Sequence, residues 1–74
     1  MERDAEQVFQ IVGERIRKRR LAKSLSQDQL ALESGIDRSH IGFIEQGRRK
    51  PTIPTLLKIS RALDVSLEQL LRGI

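Results

Sequence analysis

Seventy-four residues make one small domain with a modest core, and the lack of cysteine excludes disulfide staples and thiolate metal sites. Phe9 and Phe43 are the only aromatic residues, so the core is expected to be aliphatic. The formal net charge is +4; no apolar run approaches the ~20 residues that cross a bilayer, and the acidic, polar start MERDAEQVFQ is unlike a secretion signal.

A soluble, cytoplasmic chain with no membrane contact is therefore expected. The hydrophobic spacing predicts five helices and no strands, an all-α fold. The first helix is expected over Ala5–Ala22 with Asp4 as its N-cap. Phe9, Val12 and Ile16 fall at helical spacing and define its inner face. Position 20 continues that stripe yet holds arginine. From Arg15 to Lys23 stand Arg15, Arg17, Lys18, Arg19, Arg20 and Lys23, with no acidic residue among them. Ser26 and Gln29 form the capping box S-x-x-Q at the start of a second helix. Leu30 and Ala31 face inward there, and Gly35 ends it.

Asp37 is expected to cap a third helix over Arg38–Gln46, with Ile41 and Ile44 buried and Gly47 as its stop. Arg48 to Pro51 reads as a loop, and its run Arg48-Arg49-Lys50 is a second basic cluster. Thr52 caps a fourth helix that tolerates Pro54 in its first turn and offers Leu56, Leu57, Ile59 and Leu63. Ser66 and Gln69 repeat the capping box and open a short fifth helix through Leu71.

Leu25 to Gly47 thus has the layout of a helix-turn-helix, spanning about 26–46, in which one helix braces against a DNA backbone and the next enters the major groove. Two basic clusters flanking that pair suit a polyanion, although taken alone they are equally an ordinary solvated face. There is no catalytic triad, phosphate loop or metal-ligand cluster. The chain is read as a non-enzyme with no cofactor and no small-molecule ligand.

The ordered segments VGERIRKRR, LSQDQLALESGIDRSHIGFIEQGRRKP, TLLKISRALDV and SLEQLL resemble the lambda-repressor-like (Cro/C1-type, XRE) helix-turn-helix family over about Val12 to Leu71. The run Asp37-Arg38-Ser39-His40-Ile41 is similar to the small restriction–modification controller proteins; phage-type repressors and antitoxins share the same frame. The resemblance implies a compact five-helix bundle in which the start of helix 2 touches a phosphate and helix 3 reads base edges. Carried over by position, Gln27 is the phosphate clamp, and Arg38, Ser39, Gly42 and Phe43 lie on the groove-facing side.

The individual residues support that reading unevenly. Arg38, in the first turn of helix 3, can donate two hydrogen bonds to guanine O6 and N7; its alternative is a phosphate contact or solvent. Ser39 and His40 are short polar groups that reach a base or a phosphate. His40 is the single histidine and has no second ligand to make a metal site. Phe43 either packs on a thymine methyl or folds over the core edge near helix 2. Arg48, Arg49 and Lys50 are read as phosphate neutralisers, with Arg17 and Lys18 adding long-range attraction. Arg20 and Glu45 both interrupt core-facing stripes, so they are expected to pair, because an isolated buried charge is prohibitively costly; the resemblance implies the same pair.

The apolar surplus of Val65, Leu67, Leu70, Leu71 and Ile74 predicts a two-fold interface through helix 5, over Leu67, Leu70, Leu71 and Ile74, with the outer side of helix 4. A homodimer places two recognition helices ~34–36 Å apart on a pseudo-palindromic duplex. The expected function is sequence-specific transcription regulation on double-stranded DNA, with RNA polymerase as a candidate further partner. The rival from another class is a protein-interaction module that bridges to the transcription machinery. RNA binding is disfavoured by the narrow A-form major groove and the scarcity of aromatics.

Overall fold

The computed structural model describes residues 3–74. They form five helices: α1 (Ala5–Ala22), α2 (Gln27–Ser34), α3 (Arg38–Glu45), α4 (Ile53–Ala62) and α5 (Leu67–Leu71). The all-α expectation holds, and each helix starts where its cap was expected. Asp4, Ser26 and Ser66 make full capping boxes with Gln7, Gln29 and Gln69, and the Thr52 side chain accepts from the Thr55 N–H. The exception is Asp37, which stands at the N-cap of α3 without a side-chain hydrogen bond. Its charge still favours the positive end of the helix, but the capping geometry is absent.

One aliphatic core joins the helices: Val12 and Ile16 from α1, Leu30 and Ala31 from α2, Ile41 and Ile44 from α3, Leu56, Ile59 and Leu63 from α4 and its end, and Leu70 from α5. Each fully buried aliphatic side chain contributes about 1.5–3 kcal/mol. α3 packs against both α1 and α2, α2 against α4, and α5 against α1 and α4. α3 is therefore the element braced from two sides, which suits a helix that must hold its outer face in a fixed orientation.

The α1–α3 crossing depends on Gly13. A Cβ there would collide with the carbonyl oxygen of Ile44 and come within 2.9 Å of that of Glu45, so only glycine allows this approach. Gly47 closes α3 at φ 73. Around it the Gly47 N–H donates to Ile44 O at 3.0 Å and the Arg48 N–H to Phe43 O at 2.9 Å, the paired bonds of a Schellman closure. The loop that follows is thereby tied to the end of α3.

Two expectations about the interior are corrected. Phe9 is half-buried and outside the core; Val8 packs there instead, because the α1 stripe runs one residue off the expected start. Leu70 is 1% exposed and closes the core within the protomer, so it is not available to a partner surface. Gly42, though buried, lies on the side of α3 toward Gln27, whose side chain is 3.7 Å from where its Cβ would stand.

Candidate nucleic-acid interface

The outer face of α3 is set by a buried polar network beneath it. Arg20 donates from Nε to Glu45 Oε2 at 2.7 Å and from Nη2 to Glu45 Oε1 at 3.0 Å. Its Nη1 donates to the Leu25 carbonyl at 2.8 Å, and Gln27 Nε2 donates to Glu45 Oε1 at 3.1 Å. One carboxylate thus ties α1 to both α2 and α3. The hydrogen bonds it donates to Glu45 hold the Arg20 guanidinium above its usual pKa against the opposing effect of burial. Among the described residues, no buried side-chain polar atom lacks a partner.

Gln27 thus turns an amide donor inward to Glu45. It lines a shallow depression between α2 and α3 together with Arg38, Ser39, Gly42, Phe43 and Gln46. This gathers the expected readers Arg38, Ser39 and Phe43, and it adds Gln46. The spacing 39, 42, 43, 46 is one helical face, a signal in the sequence that would have found Gln46. His40 is half-buried and does not line the depression.

Arg38 is held by an ion pair. Its Nε lies 3.2 Å from Asp28 Oδ1, with both side chains largely exposed. Such a pair contributes little stability in water. Asp28, in the first turn of α2, was missed because nothing local connects positions 28 and 38.

Phe43 does not fold into the core; it lines the depression. It is half-buried, stays outside the core, and lies beneath two arginines. The guanidinium carbons of Arg48 and Arg49 sit 5.5 and 5.0 Å from its ring centroid. Arg48 also donates to Gln46 Oε1 at 3.3 Å. The basic loop is thus folded onto the end of α3, beside the depression, with Lys50 exposed next to it.

The basic run on α1 resolves differently from its appearance in sequence. Arg15 donates to the carbonyls of Leu70 and Arg72 at 3.1 and 2.7 Å. Arg17 pairs with Glu14, Arg20 with Glu45 and Lys23 with Asp64, which leaves Lys18 and Arg19 among the exposed positions. Much of that run serves the protomer. The Lys23 ammonium holds the Asp64 carboxyl below its usual pKa.

Comparison with known proteins places this geometry. A helix-turn-helix family, HTH_3, matches residues 16–70. The chain is 40% identical to the control protein C.SmaI of Serratia marcescens over 64 residues, 86% of this chain and 76% of that protein. It superposes on the restriction–modification controller protein C.AhdI of Aeromonas hydrophila with a TM-score of 0.82 and 42% identity, covering 84% of this chain and 94% of the other. It is also similar to the biofilm master regulator SinR of Bacillus subtilis, solved in complex with DNA. That match has a TM-score of 0.78 and 38% identity, over 81% of this chain and 97% of that one. With its five helices, its buried arginine–glutamate tie and α2–α3 as the turn unit, the chain belongs to the lambda-repressor-like helix-turn-helix family HTH_3.

Proposed function

We propose that this protein is a sequence-specific, double-stranded-DNA-binding transcriptional regulator. In this reading it acts in the cytoplasm as a homodimer on a pseudo-palindromic operator, as the controller of a restriction–modification system. The observation that carries the reading is the face of α3: Arg38, Ser39 and Gln46 in one depression, flanked by Arg48 and Arg49 on Phe43. A buried network holds that face rigid from behind. Similarity to C.SmaI and C.AhdI favours the controller role over a phage repressor or antitoxin.

In this reading Arg38 contacts a guanine, and Ser39 and Phe43 approach neighbouring base edges. His40 meets the backbone at the margin. The free amide donor of Gln27 and the cations Arg48, Arg49 and Lys50 hold phosphates. Leu67, Leu71 and Ile74 form the two-fold contact, since they remain partly exposed on α5 and beyond it. RNA polymerase is the further partner that such a regulator meets when it activates.

The test is a footprint with an affinity titration on the DNA upstream of its own gene. A protected pseudo-palindrome is expected, with a slope of log K against log salt of about −5 if six phosphates are neutralised per dimer. Affinity independent of salt, or no protected site, overturns the proposal.

A further inference from the structure

Asp28 lies beside the depression, on the side where a polyanion would dock, and its carboxylate is 81% exposed. A bare carboxylate at that place repels phosphates, so its presence calls for a compensating role. The contact with Arg38 supplies one. Asp28 Oδ1 approaches the guanidinium from the Nε side, at 3.2 Å. Guanidinium is a planar fork, so a partner at Nε leaves the opposite end, formed by Nη1 and Nη2, facing away from Asp28. That end carries the paired donors that match guanine O6 and N7.

Resting on the assignment of Arg38 to a base, we propose that Asp28 is a positioning residue for specificity: it braces Arg38 from α2 so that its two-pronged end meets the guanine edge. The brace acts across the turn, because Asp28 belongs to the helix that holds the backbone and Arg38 to the helix that reads bases. It discriminates without touching DNA, by restricting a flexible side chain to the orientation in which two hydrogen bonds form together. Without it Arg38 swings toward phosphates, which any sequence offers.

The consequence is an uncommon signature. Asp28→Asn removes a negative charge near DNA, so affinity for a scrambled duplex should rise by about twofold. Discrimination should fall in the same protein. The probes are the footprinted operator, the same duplex with 7-deazaguanine at each half-site guanine in turn, which deletes the N7 acceptor, and the scrambled duplex. In the wild type, one such guanine should cost about tenfold in affinity. That penalty should shrink to about two- or threefold in Asp28→Asn and vanish in Arg38→Ala. In the Arg38→Ala background, Asp28→Asn should leave discrimination unchanged. Thermal melts of each variant near the wild-type value exclude a folding defect.

A full deazaguanine penalty retained in Asp28→Asn, while Arg38→Ala abolishes it, overturns the brace and leaves the DNA-binding reading intact. A penalty that survives Arg38→Ala overturns both the base assignment and the brace. Altered discrimination by Asp28→Asn in the Arg38→Ala background also overturns it, since the carboxylate would then act by another route.

Discussion

Glu45 receives Arg20 through two hydrogen bonds across 25 positions of sequence, with its side chain only 2% exposed. The same carboxylate accepts from Gln27. Removing it strands a buried guanidinium and frees the first turn of α2 at once. Glu45→Ala should cost about 3–5 kcal/mol, the range for breaking a buried pair, enough to unfold much of a small domain. Replacing both partners, Arg20→Met with Glu45→Leu, should restore most of that loss, because two apolar groups leave no charge unpaired. Urea unfolding followed by circular dichroism measures both; a single mutant melting at the wild-type midpoint would refute the tie.

Gly13 gives a second stability test with an opposite local expectation. In an isolated helix, Gly13→Ala would stabilise by about 1 kcal/mol. Here the added methyl meets the carbonyl oxygens of Ile44 and Glu45, which are backbone and cannot turn aside. We expect a net loss of about 1–3 kcal/mol, with DNA affinity falling further as α3 is pushed off α1. A stabilised variant would show that the crossing is looser than described.

Phe43 and the basic loop separate affinity from specificity. Each arginine, itself exposed, gains about 0.5–1 kcal/mol from its contact with the ring. Phe43→Ala should release Arg48 and Arg49 and take the ring from its base edge, lowering affinity severalfold for the scrambled duplex and further for the operator, with little change in melting temperature. Arg49→Ala should also reduce the salt slope by about 1 per protomer. An equal loss on both duplexes would remove the Phe43 ring from the base edge and leave it only the support of the two arginines.

Neighbouring leucines in α5 distinguish the core from the proposed dimer contact. Leu70 is 1% exposed, and Leu71 is only half-buried. Leu70→Glu should unfold the domain, whereas Leu71→Glu should leave a folded monomer. Sedimentation velocity together with circular dichroism reads both outcomes. A Leu71→Glu protein that still sediments as a dimer removes this surface from the interface.

Several features were legible because their causes are local. Ser26, Thr52 and Ser66 each bond a backbone N–H three residues on, so the helix starts can be read within four positions of chain. The Arg20–Glu45 pair was legible for another reason: each residue interrupts an apolar stripe, and burial leaves a charge few alternatives to its opposite. Asp37 shows the limit of such reading, since the right residue at the right place makes no capping bond.

The amino-acid order by itself determined the five helices, their apolar faces and the need for one internal ion pair, because helical period, capping and the cost of buried charge act over a few residues or are nearly independent of geometry. Only the tertiary structure decided that Gln27 turns inward to Glu45, that Asp28 meets Arg38, that Arg48 and Arg49 lie on Phe43, and that Arg15 reaches the end of α5 rather than solvent. Those contacts depend on where α1 crosses α3 and how α2 turns into α3. The Gly13 approach and the packing of Ile41 and Ile44 set these angles, and no periodicity along the chain encodes them.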